Sequence, residues 1–310
     1  MVERTPLLRF LAHVVLLLGV IITLFPLWIA FVASTHPIQN LISGTFPLLP
    51  GPNLIENYRA VLFESGSYGR IPATTMMTNS FIMAVGITVG KLVVSFLAAF
   101  AIVFFRFPGR NIFFFMIFFT LMLPVEVRIV PTYDVVSNVF GPLQALLEVT
   151  RLDRVIEAIA GVEVNLRWRL LNSYMGLILP LIASATATFL FRQFFHTIPD
   201  ELVDASQIDG AGPMQFMTRI LLPLSRTNIA ALGVILFIFG WNQYLWPLLV
   251  AQQDRLLTIV VGIQRYVNAA DTLPVWNEAM ALTVLAMLPP VIIVLFLQSL
   301  FLKAPIDSEQ

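Results

Sequence analysis

A lysine stands inside an apolar run, at Lys91 of SFIMAVGITVGKLVVSFLAAF. A charge about 15 Å into a membrane-spanning helix costs roughly 2.5–3.5 kcal/mol on insertion scales, so its place is a protein interior or an aqueous cavity. Two chemistries fit: attraction of an anionic substrate, or structural pairing with a carboxylate or helix carbonyls. Glu126 and Arg128 follow two residues apart beyond Pro124. They can pair with each other or across subunits, and a guanidinium's planar donor fork also suits phosphate oxygens. Farther on, Trp241, Asn242, Gln243, Tyr244 and Trp246 interrupt an apolar stretch just before Pro247. An aromatic belt accounts for Trp and Tyr near an interface. The adjacent amides, costly against lipid, indicate either a pathway lining or hydrogen bonds between helices. Ser184, Thr186 and Thr188 read as helix-packing residues.

Enzyme chemistry finds little support. Gly86, Gly90 and Lys91 imitate the end of a P-loop, but the glycine spacing is one residue short, Leu92 replaces the required Ser or Thr, and no strand precedes. No ATP site is assigned to this chain. With no cysteine there is neither disulfide nor thiolate chemistry, and His13, His36 and His196 are too scattered for a metal site. The apolar runs hold no paired carboxylates and no Ser/His constellation of an intramembrane enzyme. An ion relay through Lys91, Glu126 and Arg128 is the alternative from another class, a secondary transporter; the inverted repeat common in such carriers is not visible.

One polar segment separates two apolar ones, PDELVDASQIDGAGPMQFMTRILLP from Pro199 to Pro223. Pro199, Asp200 and Glu201 suit a helix start, with acids at the positive dipole end. The first helix is expected to reach Ile208. Asp209 and Gly210 then form a turn, and a second short helix runs from Pro213 until Pro223 ends it. Leu202, Ala205 and Ser206 share a face of the first helix, two of them small enough for close approach by a partner.

The elements around these residues follow from composition. Hydrophobic residues make up 58% of the 310 and charged residues 12%, with mean hydropathy +0.86, which places the chain in the membrane class. Zero net formal charge and a pI near 6.8 give no basic surface for nucleic acid. Six spans are expected, at Leu11–Ser34, Phe81–Phe105, Ile112–Val135, Tyr174–Phe195, Asn228–Val250 and Met280–Leu302, the third broken near Pro124. The first run is too long for a signal-peptide h-region. Arg4, Arg9, Arg106, Arg110, Arg192, Arg226 and Lys303 flank spans on one side, which places the ends, residues 1–10 and 303–310, in the cytoplasm. Outer loops then cover 35–80, 136–173 and 251–279, and the polar segment lies in a cytoplasmic loop over 196–227. The first outer loop reads as irregular, and Gly141–Arg169 as one amphipathic surface helix.

Asp204, Ala205, Ser206, Gly210, Ile220, Leu222 and Pro223 keep the spacing E-A-A-x3-G-x9-I-x-L-P. This resembles the EAA loop of binding-protein-dependent ABC importers, with Asp204 for glutamate and Ser206 for alanine. The runs NSFIMAVGITVGKL, FTLMLPVEVRIVPT, ASATATFLFRQFF and GWNQYLWPLL extend the likeness over nearly the whole chain. They are most similar, within the carbohydrate-importer group, to the smaller membrane subunit of glycerol-3-phosphate importers. The resemblance implies an all-α membrane protein with the six-helix type I ABC importer permease fold in a bacterial inner membrane. It implies no enzyme activity in this chain, a homologous second permease, two ATPase subunits that bind ATP and Mg, and a periplasmic or extracellular solute-binding protein. It also implies that Glu201, Asp204, Ala205, Ser206, Asp209, Gly210 and Pro223 couple ATPase closure to alternating access. The cargo expected from it is sn-glycerol-3-phosphate, with neutral sugars or oligosaccharides as the alternative. Lys91, Arg128, Trp241, Asn242, Gln243 and Tyr244 are the substrate-pathway candidates. The segment from Phe140 to Arg169 is expected to be an extension without a family counterpart of that length.

Overall fold

In hydrocarbon every backbone polar group must find its partner within the protein, and an α-helix satisfies that demand inside one segment. The computed structural model describes residues 6–43, 47–64, 71–152, 157–159, 166–267 and 275–303, and among them there are helices and no strands. Three helices are individually long and apolar enough to cross a membrane, Leu7–Ser34, Ala73–Phe104 and Trp276–Phe296. Two bent pairs qualify jointly: Tyr174–Leu181 with Ala185–Phe195 at 47°, and Pro213–Leu224 with Arg226–Trp241 at 73°. The remaining apolar helix, Arg110–Phe119, has 10 residues, or about 15 Å, and cannot cross alone. It continues through a 3-10 turn, Thr120–Met122, to a break before Pro124, after which Val125–Ser137 is helical despite Pro131.

Several expected boundaries move. The helix of the second expected span starts at Ala73 and takes the last residues of the expected 35–80 loop. The fourth span is not one helix: Pro180 lacks a donor, and Ser184 restarts the chain by capping. Its hydroxyl accepts from the Ala187 N–H at 3.3 Å, and its carbonyl accepts from the Ser95 hydroxyl at 3.1 Å. Ser184 is therefore a cap rather than a packing residue. Thr188 is buried and Thr186 exposed. The fifth span divides at Asn242–Tyr244 into Arg226–Trp241 and Leu245–Val250. The outer helix expected over 141–169 ends at Thr150, where Arg151 takes a left-handed φ of 58°.

The chain forms two compact units, residues 1–77 with 258–289, and 78–257 with 290–310. In the first, the segment expected to be irregular holds the helices Ile38–Ile42 and Leu54–Phe63 among its described residues. Asn57 holds it by donating to the carbonyls of Ser34 at 2.8 Å and His36 at 3.0 Å while accepting from Asn277 at 3.1 Å. Burial pushes the neighbouring Tyr58 phenol above its ordinary pKa, partly offset by its hydrogen bond with Ser34.

In the second unit, Gly86 and Gly90 lie one helical turn apart on one face. A Cβ at Gly86 would come within 2.6 Å of Ile178, and one at Gly90 would collide with Ile182. A Cβ at Gly240 would come within 2.9 Å of Ala84. Small-residue packing of membrane helices explains the spacing that imitates a P-loop. Asn79, 3% exposed, ties this unit at one end by donating to the carbonyls of Arg255 and Leu257, both at 2.9 Å, and accepting from the Tyr174 hydroxyl. A buried polar group left without its partner costs about 1–3 kcal/mol. Asn79→Leu is therefore expected to lower the melting temperature of the solubilised subunit, and Asn79→Asp to lower it at least as much, because a buried carboxylate cannot donate to either carbonyl. Equal melting temperatures for all three would refute this role.

Candidate functional site

The polar segment folds as a helical hairpin. Its first helix is Asp200–Ile208, with Pro199 just outside at the cap position and Asp200 and Glu201 in the first turn. Gly210 ends it with φ +75°. The Gly210 N–H donates to the Gln207 carbonyl at 3.0 Å, and the Ala211 N–H to the Ser206 carbonyl at 2.9 Å. That paired pattern around a left-handed glycine is a Schellman closure, which satisfies the last helical carbonyls. The second helix, Pro213–Leu224, stops one residue past Pro223, the expected end. Residues Met217–Leu221 open into a π-turn, which accommodates a proline that has no N–H for the carbonyl four residues back. The bend follows at Ser225, fully buried, whose hydroxyl donates to the Leu221 carbonyl at 2.6 Å.

The hairpin has an inner and an outer face. Phe216, Leu221, Val203, Met217 and Ile220 pack into a core with Phe96, Phe100, Phe104, Phe191 and Phe195. Edge-to-face rings connect the layers, Phe104 to Phe216 at 5.2 Å and Phe96 to Phe195 at 5.1 Å. Ser206 is 4% exposed and its hydroxyl donates to the Val203 carbonyl at 2.7 Å, so it faces its own chain and is not available to a partner. Glu201, Asp204, Ala205, Asp209, Gly210 and Pro223 are exposed. Sequence reasoning missed Ile208, 86% exposed, and Met214, 66% exposed, two apolar side chains flanking the turn. Their signal was apolar residues at non-periodic positions of a polar segment.

A second place gathers charge. Lys91, Arg128, Thr132, Phe239, Gln243 and Trp246 line a cavity of about 200 Å³ with apolar residues, and among the described residues no carboxylate lines it. Lys91 is 6% exposed, its ammonium 3.6 Å from the centre of the Phe239 ring. Gln243 donates to the Phe239 carbonyl at 3.1 Å. The Trp246 indole donates to the Gly176 carbonyl at 3.1 Å, which fixes that wall. The Glu126 side chain, expected to pair with Arg128, lies outside the described residues.

The family described as binding-protein-dependent transport system inner membrane component matches residues 91–305. The chain belongs to this family. It is 47% identical over 313 residues to the sn-glycerol-3-phosphate transport system permease protein UgpE of Brucella melitensis biotype 1, and 49% identical over 310 residues to the protein of that name in Salmonella typhi. Each match covers 100% of both chains, so the segment 140–169 is not an extension peculiar to this chain. The fold is that of a chain in a bacterial ABC transporter involved in the import of the acidic polysaccharide alginate, with TM-score 0.73, 18% identity and coverage of 96% of this chain and 98% of that one.

Among the pathway candidates of this transport component, Lys91, Arg128 and Gln243 meet at one cavity. Trp241 does not join them: it is 2% exposed and stacks on Phe237, rings 5.9 Å apart, as a core residue. Asn242 is exposed at the helix end and Tyr244 half-buried, both outside the cavity's lining. Trp246, singled out in the sequence with its polar neighbours, does line the cavity, and Thr132 and Phe239 are lining residues that the sequence reading did not select. No periodic pattern marks these two, because separate helices supply them.

Proposed function

We propose that this chain is a membrane-spanning permease subunit of an ATP-driven, binding-protein-dependent importer whose cargo is sn-glycerol-3-phosphate. The observation that carries the reading is full-length identity of 47–49% to permeases named for that solute. The cationic cavity supports an anionic cargo over a neutral sugar. A homologous permease completes the pathway, two ATPase subunits bind ATP and Mg and dock on the cytoplasmic hairpins, and a soluble binding protein delivers solute from outside. The excess of Arg and Lys at one set of helix ends supports cytoplasmic termini and a cytoplasmic hairpin. ATPase closure pushes the exposed face around Gly210, and the aromatic core behind it passes the displacement to Ala73–Phe104, whose Lys91 lies about 20 Å along the helix from Phe104. Such a push alters access only if it biases two arrangements of the spans.

Uptake of labelled glycerol-3-phosphate by the reconstituted assembly tests this reading, with neutral sugars as competitors. The expected result is binding-protein-dependent uptake that vanadate abolishes and sugars leave unchanged. Uptake driven by an ion gradient without ATP, or efficient competition by sugars, would overturn it.

A further inference from the structure

We infer that Lys91 and Arg128 together form a phosphate-binding site within the membrane, a point where the permease itself, and not only its soluble delivery protein, recognises the cargo's anionic group. Lys91 is 6% exposed, and among the described residues its protein partner is the Phe239 ring at 3.6 Å. A ring face attracts an ammonium, but it supplies no counter-charge. Arg128, itself exposed, lines the same cavity, and among the described residues no carboxylate does, so a buried ammonium and a second positive charge face one space. Such an arrangement destabilises the protein unless an anion completes it. A phosphate monoester carries about −1.5 to −2 charges near neutral pH, which matches two cations. The guanidinium can engage two phosphate oxygens while the ammonium acts as a point charge. Gln243 donates its amide to the Phe239 carbonyl at 3.1 Å and so keeps its side-chain oxygen as an acceptor for a solute hydroxyl. The cavity, about 200 Å³, is smaller than the roughly 300–1,000 Å³ of pockets for drug-sized ligands, a size suited to a three-carbon phosphate.

The inference rests on the importer reading for the identity of the anion, and its test separates the two. The assembled complex in nanodiscs, without binding protein, is melted with and without glycerol-3-phosphate, and with inorganic phosphate as a second probe. The native complex is expected to melt higher with either anion. Lys91→Met is expected to melt higher than native without ligand, because an uncompensated charge is gone, to lose the anion-induced shift, and to lower uptake by about 10- to 100-fold. Lys91→Arg retains the shift, and Arg128→Gln reduces it. A purely structural lysine would behave oppositely: Lys91→Met would melt lower, a result that overturns the site. Native-level uptake with an undiminished shift in Lys91→Met also overturns it. If the native assembly imports neutral sugars and no glycerol-3-phosphate, the cargo assignment falls, while a phosphate-dependent shift that Lys91→Met removes would still uphold the site.

Discussion

Gly210→Pro is expected to leave the subunit inserted and assembled while reducing transport and substrate-stimulated ATP hydrolysis by about 100-fold, the upper range of ordinary coupling between sites. Gly210 has φ +75° and its N–H closes onto the Gln207 carbonyl. Proline fixes φ near −65° and has no N–H, so it breaks both features. A Cβ at this position would meet nothing within 4 Å, which makes backbone conformation, not crowding, the quantity under test. The series has an internal order. Asn tolerates the left-handed region and should retain most coupling, Ala should lose more, and Pro nearly all. Membrane insertion, measured by subunit abundance, should not change across the series, since the turn is exposed. Normal substrate-stimulated hydrolysis in Gly210→Pro would remove the hairpin from the coupling mechanism.

Ile208→Asp should abolish stable association of the ATPase subunits. Ile208 is 86% exposed and Met214 66% exposed, beside the exposed acids Asp204 and Asp209. Apolar side chains of this kind become anchors when a partner desolvates them, and losing an anchor costs about 2–4 kcal/mol, or roughly 30- to 1,000-fold in Kd. Aspartate would also bury an unpaired charge. Co-purification of ATPase with the variant, and its ATPase stimulation by loaded binding protein, are the measurements. Ile208→Leu should behave as native, because it retains the apolar volume. ATPase recovery equal to native with Ile208→Asp would show that the docking face lies elsewhere on the chain. Ser206→Ala should matter little to docking for the opposite reason: its side chain already faces the chain's own core.

Much of the hairpin was legible before any coordinates. Its helix ends are local chemistry: acids in a first turn, a glycine at a left-handed position and a proline opening the next helix act through neighbours within a few residues. The break at Pro124 was legible for the same reason. The breaks at Ser184 and Asn242–Tyr244 were not. In an apolar sequence a continuous helix and two helices meeting at an angle have nearly the same composition, and packing against other segments decides between them. The Gly86, Gly90 pair shows this well. As letters it imitates part of a nucleotide motif, and only contact with Ile178 and Ile182 reveals close helix packing.

By itself the sequence determined that the chain lives in a membrane and that one polar segment is built as helix, turn and helix. These depend on transfer free energies and local backbone preferences, which short windows of residues contain. Tertiary structure decided which residues act together. It turned Ser206 inward, left Ile208 and Met214 outward, placed Trp241 in the core, and brought Lys91, Arg128 and Gln243 from three separate segments to one cavity. Such groupings depend on contacts between residues far apart in the chain, and no local window of sequence holds them.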